Sequence, residues 1–184
     1  AASDVYKRQV IVASAIGGSS NATTHLLAIA KHMGIKFDLS NWQKLGHKIP
    51  LLVDCQPAGK YLMEGFYKAG GIPAVMKELI KNKKLNTKVK TVTGKNLGEN
   101  LKSKIKINSK VIKTFKKNLS QNAGFLVLRG NFFNSAIMKT SVISDEFKKR
   151  YLSDPDRPNS FICKAAVFEG PEDYHKRINS KKLN

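Results

Sequence analysis

Apolar residues in the first half of the chain recur at helical spacing. Leu26, Ile29, Ala30 and Met33 fall at i, i+3, i+4 and i+7, which predicts one apolar helix face, with Gly34 as the stop signal. Ile72, Val75, Met76 and Leu79 repeat the pattern, and Pro73 suits the first turn of that helix. Before it, residues 60–69 read as a helix grouping Met63, Phe66 and Tyr67, broken by Gly70-Gly71. Asp38-Leu39-Ser40 supplies caps for a short helix through about Leu45. Two apolar runs are too short for a period to decide. Residues 10–13 (Val-Ile-Val-Ala) read as a strand or a buried helical turn, and residues 51–53 (Leu-Leu-Val) as a short strand.

The texture changes twice further on. Residues 81–117 hold thirteen lysines and one acidic residue, Glu99. Within them Thr91-Val92-Thr93-Gly94 and a helical 96–101 look folded, whereas 102–118 lacks sustained periodicity and reads as a linker or surface excursion. After Gly124 the pattern favours strands, at 125–128, 136–143 and 165–168. Gly170-Pro171-Glu172-Asp173 then opens a short helix. The expected architecture is an α/β segment over 10–118, followed by the opening of a second, strand-rich domain over 122–184. Residues 1–9 fit neither and read as a non-native junction.

Composition narrows the class. Of the 184 residues 41% are apolar, enough for a packed core, so a wholly disordered chain is excluded. No apolar run approaches the roughly 20 residues that cross a bilayer, and a soluble, cytoplasmic protein without membrane attachment is expected. The net charge of +20 admits a basic nucleic-acid-binding module. Yet the cations are mostly lysines, with arginine confined to Arg8, Arg129, Arg150, Arg157 and Arg177. Guanidinium groups are preferred for bidentate phosphate and base recognition, so a solvated lysine surface is the better reading and nucleic acid is not the expected partner. Cys55 and Cys163 form no C-x-x-C pair, and two thiols fall short of the three or four ligands an iron–sulfur cluster needs.

The most suggestive local chemistry is the turn Gly17-Gly18-Ser19-Ser20-Asn21 feeding a helix. Unpaired N–H groups at a helix start favour an anion, and the three polar side chains add donors for a carboxylate or phosphate. Ser20 or Asn21 could equally serve only as the helix cap. Neither a P-loop nor a dinucleotide fingerprint is present. His25 lies one turn into the helix, within reach of a ligand at its start; no histidine has metal-ligand spacing.

These residues also carry a resemblance. Ala15-Ile16-Gly17-Gly18-Ser19-Ser20-Asn21-Ala22 running into His25-Leu26-Leu27-Ala28-Ile29-Ala30 resembles the A-x-G-G-S-T-N-A…H-L-x-A-I-A segment of the dihydroxy-acid and phosphogluconate dehydratase family. Pro57-Ala58-Gly59-Lys60-Tyr61 with Met63 and Glu64, then Ala69-Gly70-Gly71-Ile72-Pro73-Ala74-Val75-Met76-Lys77, continue the match in order. Thr91-Val92-Thr93-Gly94-Lys95, Leu128-Arg129-Gly130-Asn131 and Phe168-Glu169-Gly170-Pro171-Glu172-Asp173-Tyr174-His175 complete it. Ser20 stands where threonine is commoner. Residues 131–139 lack the Ala-Pro-Asp-Gly form of the branched-chain pathway enzymes and look closer to members acting on sugar acids.

The resemblance implies an internal fragment of an iron–sulfur- and magnesium-dependent hydro-lyase, homodimeric when complete, that converts a 2,3-dihydroxy carboxylic acid to a 2-keto acid. It implies the end of a large α/β domain followed by the start of a β-barrel-like C-terminal domain. The family's cluster cysteines, magnesium-binding carboxylates and catalytic serine would lie outside these residues, leaving the fragment inactive by itself and binding neither cofactor. Gly17, Gly18, Ser19, Ser20 and Asn21, with Lys60, are then the substrate-binding candidates. A non-catalytic scaffold derived from the same fold is the alternative.

Overall fold

The computed structural model describes residues 2–132, 134–158, 160 and 162–183. The chain divides into two compact units, Ala1–Ile143 and Ser144–Asn184. In the first, helices α1 (Ala2–Ala15), α2 (Asn21–His32), α3 (Leu39–Gly46), α4 (Met63–Lys68), α5 (Gly71–Lys81) and α6 (Leu97–Asn100) precede strands β1 (Phe125–Leu128) and β2 (Ala136–Lys139). A 3₁₀ turn, Thr140–Val142, follows β2. In the second unit lie α7 (Asp145–Tyr151) and α8 (Pro171–Arg177).

Helix α1 resolves the ambiguity of residues 10–13 in favour of helix, and helical residues extend back to Ala2. Its Ile11 and Ala15 enter the larger core with Leu52, Val53, Phe66, Val75 and Leu79. Its Val10 enters a smaller one with Trp42 and Phe125. Gly46 of α3 allows the close crossing with α1, since a Cβ there would sit 2.5 Å from Ser14 Oγ. Ser14 itself is buried and satisfied by donating to the Val10 carbonyl at 2.9 Å. Capping sets α3 as its sequence predicts: Asp38 Oδ1 accepts from the Asn41 N–H at 3.0 Å, and Asn41 Oδ1 from the Asp38 N–H at 3.0 Å. Helix α5 buries Val75 and Leu79 of the expected face together with Ala74, while Ile72 is exposed and Met76 only partly buried. Helix α4 is shorter than expected and buries Phe66, while Met63 and Tyr67 lie exposed.

Residues 51–53 run extended through the core but pair by isolated bridges, Leu51 with Ser120 and Val53 with Ile112. The Lys113 N–H donates to Leu52 O at 2.7 Å and the Asp54 N–H to Val111 O at 2.9 Å. The lysine-rich stretch is therefore more than a surface excursion: Val111 and Ile112 are both buried. A two-residue apolar step inside a charged run leaves no period for sequence reading to detect.

The β-barrel-like C-terminal domain is overturned. Among the described residues the only sheet is a two-stranded antiparallel ribbon, pairing Phe125 with Lys139 and Leu128 with Ala136. Closing a barrel takes a sheet of many more tilted strands. Residues 165–168 form no strand, and Val167 is 77% exposed. Four consecutive apolar residues without alternation or a pairing partner do not make one. What is found is a mixed α/β unit whose small ribbon packs on α3, where the Val127 N–H donates to Gln43 Oε1 at 2.9 Å.

Candidate functional site

The 17–21 turn joins α1 to α2, and its geometry follows from its two glycines. The Gly17 N–H donates to Ser14 O at 3.2 Å and the Gly18 N–H to Ala13 O at 2.8 Å, closing the end of α1. Gly17 takes a left-handed φ of +64°, and a Cβ would meet Leu51 Cδ1 at 2.9 Å. Glycine is required there on both counts. The turn then rises from the buried Gly17 to exposed Ser19, Ser20 and Asn21.

The capping expectation for Ser20 or Asn21 is not met in the simple way. Ser20 occupies the cap position of α2 in helical conformation and makes no side-chain capping bond. Ser19 serves the helix start instead: its Oγ accepts from the Asn21 N–H at 3.2 Å, and its carbonyl from the Ala22 N–H at 3.1 Å. The Thr23 N–H is taken by Ser20 O at 3.1 Å. Three amides of the first turn are thus engaged, while the side chains of Ser19, Ser20 and Asn21 are exposed.

The second candidate segment reaches the first. Ala58 packs against Gly17, 3.5 Å from the position a Cβ would take. Lys60 follows two residues later in the same loop, its side chain exposed and its N–H donating to Asp54 Oδ1 at 2.8 Å. That loop turns tightly because Gly59 has no room for a side chain: its Cβ would lie 2.5 Å from Cys55 N. The chain fold therefore brings the 17–21 and 56–61 loops into contact, which sequence separation alone does not reveal.

Two residues missed from the sequence complete the surroundings. Lys139 of β2 donates through Nζ to the Gly17 carbonyl, and burial pushes its ammonium below the ordinary lysine value. Ser141, in the 3₁₀ turn after β2, places Oγ 3.8 Å from the same would-be Cβ. That hydroxyl and the Thr23 hydroxyl are buried without a hydrogen bond among the described residues. The one signal for Lys139 was its isolation as a lone cation in the apolar run 136–143.

Alongside the turn a cleft of about 590 Å³ runs between α1, α2 and α5. Ile16, Ala22, Leu26, Ile72 and Met76 give it an apolar wall, and Arg8 and His25 add polar groups. His25 is exposed on α2 and has no metal partner: no group of three or more His, Cys, Asp or Glu side chains among the described residues could hold an ion. Cys55 is buried in the larger core and Cys163 is exposed in the second unit. No helix is long and apolar enough to cross a membrane among the described residues.

Comparison with known proteins places these features in context. A family model described as dihydroxy-acid/6-phosphogluconate dehydratase N-terminal matches residues 4–100, more than half of the chain. D-xylonate dehydratase of Caulobacter vibrioides is 47% identical over 178 residues, covering 97% of this chain and 30% of that protein. L-arabinonate dehydratase of Rhizobium leguminosarum bv. trifolii is 38% identical over 174 residues, 93% of this chain and 28% of the relative. A dihydroxy-acid dehydratase of Clostridium novyi is 36% identical over 184 residues, 98% and 31% respectively. The chain thus spans about 30% of the length of the curated relatives it matches.

Proposed function

Since the chain belongs to the dihydroxy-acid/6-phosphogluconate dehydratase family, we propose that it is a segment of a hydro-lyase that dehydrates a sugar acid. The substrate class is a 2,3-dihydroxy carboxylic acid, the product a 2-keto acid. In that reaction the C2 proton passes to a base, the C3 hydroxyl takes up a proton and leaves as water, and the resulting enol is protonated at C3 while its hydroxyl proton is lost, giving the ketone. An identity of 47% to a D-xylonate dehydratase, against 37% and 36% to two dihydroxy-acid dehydratases, supports a sugar acid over a branched-chain precursor.

The observation that carries the role of this segment is the exposure of Ser19, Ser20 and Asn21 on a turn whose base is fixed by Gly17 and Gly18. Their hydroxyl and amide groups would hold the substrate carboxylate or a neighbouring hydroxyl, and Lys60 on the adjoining loop would add positive charge. Donors fixed before the substrate arrives cost little reorganisation during the reaction. An iron–sulfur cluster and magnesium belong to the same reading of the whole enzyme, as does a homodimer. Among the described residues no group of three or more His, Cys, Asp or Glu side chains comes together. No step is therefore assigned to either group in this segment.

A chimera tests the reading. Replacing the matching 178 residues of the Caulobacter D-xylonate dehydratase with this chain should give an enzyme that forms keto acid from D-xylonate. Ser20→Ala and Asn21→Ala in that chimera should each raise KM by about tenfold, the loss expected for one hydrogen bond to a charged group. Unchanged kcat and KM in both variants would end the substrate-binding role of the turn.

A further inference from the structure

Lys139 occupies a position that packing alone would give to an apolar residue. It lies directly opposite Phe125 in the ribbon, so both side chains project from the same face. That face is the buried one: Phe125 is 1% exposed and packs against Trp42, and Ile137, two residues before Lys139, joins the same cluster. A half-buried ammonium costs desolvation that a leucine there would not incur. The compensation is specific, since Nζ donates to the carbonyl of Gly17.

That carbonyl belongs to the Gly17–Gly18 peptide unit, whose N–H end is already held by Ala13 O at 2.8 Å. The unit is thus pinned from both sides, by α1 at its N–H and by β2 at its C=O. Glycines on either side offer little steric resistance to rotation of that peptide. A flip would redirect residues 19–21, which follow immediately. The Thr140 hydroxyl, next in sequence to Lys139, lies within hydrogen-bond reach of the Asn122 and Gly124 carbonyls and shares its one proton between them, which fixes the end of β2 from which Lys139 projects.

We propose that Lys139 is a positioning residue: its bond to the Gly17 carbonyl locks the Gly17–Gly18 peptide and so aims Ser19, Ser20 and Asn21 at the substrate. The second half of this statement rests on the substrate-binding reading of the turn; the first does not. Lysine rather than an apolar residue is needed because only a donor on a long stem spans from the ribbon to the turn.

Amide hydrogen exchange on the 184-residue chain tests the lock. Lys139→Met should speed exchange at the Gly18 N–H by about tenfold or more, the loss expected for a charged hydrogen bond. The Val75 and Leu79 amides in α5 should stay protected, and Lys139→Arg should restore most of the Gly18 protection. Where Lys139→Met does not fold, Lys139→Gln takes its place under the same comparison. Gly18 exchange within twofold of the parent in a folded variant overturns the proposal. So does loss of folding in both variants, which would make Lys139 a determinant of the whole unit. In the D-xylonate dehydratase chimera, Lys139→Met should raise KM more than it lowers kcat, with rescue by Lys139→Arg. An inactive chimera whose Gly18 still depends on Lys139 refutes the dehydratase reading alone, whereas an active one with Gly18 indifferent refutes the lock alone.

Discussion

Residues 2–143 and 144–183 carry apolar runs of similar length, yet only the first set builds a core. Every buried residue among those described lies before Ser144. In the first unit, contacts join segments far apart in sequence: Trp42 meets Phe125 with ring centroids 5.6 Å apart, and Leu52 bonds to both Ala15 and Lys113. In the second, ion pairs span three or four residues, as in Asp145 with Lys148 and Asp173 with Arg177. Phe168 meets Tyr174 at 5.2 Å and Phe147 meets Tyr151 at 4.8 Å, each within a few residues along the chain. A unit of this size cannot bury enough surface to offset its chain entropy by such contacts. The contrast teaches that in this chain apolar runs become structure only where a distant segment covers them.

The sharpest way to break that contrast is to remove a residue that bridges distant segments. Phe125→Ala empties the space beneath Trp42 and should destabilise the first unit by about 3–5 kcal/mol. The single tryptophan reports it directly, since Trp42 fluorescence in a denaturant titration follows the cluster that Phe125 completes. A loss below about 1 kcal/mol would show that β1 contributes little to the core. The helix content of 145–151 and 171–177 should not change with it.

The same contrast explains what the sequence could and could not reveal. Helices α2, α3 and α5 were legible because their signals are local, a 3.6-residue period and the cap residues at 38–40. Even so, legible helices do not guarantee a buried face. On α2, Ala30 is buried whereas Ile29 and Met33 are 51% and 67% exposed. The 51–53 segment showed itself as a short apolar run and does run extended, but its partner step at 111–112 was obscured, because the bridges Leu51–Ser120 and Val53–Ile112 join residues far apart in sequence. The expected strand at 165–168 failed for the complementary reason: among the described residues no second strand pairs with it, and Val167 is exposed. In the candidate site, Gly17 through Asn21 stood out by composition, while Lys139 is separated from Gly17 by more than a hundred residues and only the fold brings them together.

A smaller effect separates local capping from tertiary packing inside the first unit. Asp38→Ala removes the side-chain acceptor from the start of α3 and should cost about 1 kcal/mol near pH 7. Hydrogen bonds from Ser40 and from the Asn41 N–H hold the Asp38 carboxyl below its ordinary value of 3.8. A depressed folded-state pKa stabilises above the unfolded value and is lost as pH falls through the folded one. The difference between parent and Asp38→Ala should therefore be full above pH 3.8 and shrink progressively below it. A difference that stayed constant to lower pH would mean the cap acts without its charge.

The smallest effect is expected where structure is most local. Asp173 accepts from Arg177 Nη1 at 2.7 Å and from the Glu169 N–H at 3.1 Å, while the same guanidinium lies 5.2 Å from the Phe168 ring. Asp173→Asn removes the charge but keeps an acceptor, so the i,i+4 pair should lose no more than about 0.5 kcal/mol. Backbone chemical shifts over 171–177 should record a modest fall in helicity, larger in low salt where the parent pair is least screened. The Trp42 unfolding transition should stay where it is. If that transition moved by as much as it does in Asp38→Ala, the second unit would be coupled to the first core, and its contacts would not be local alone.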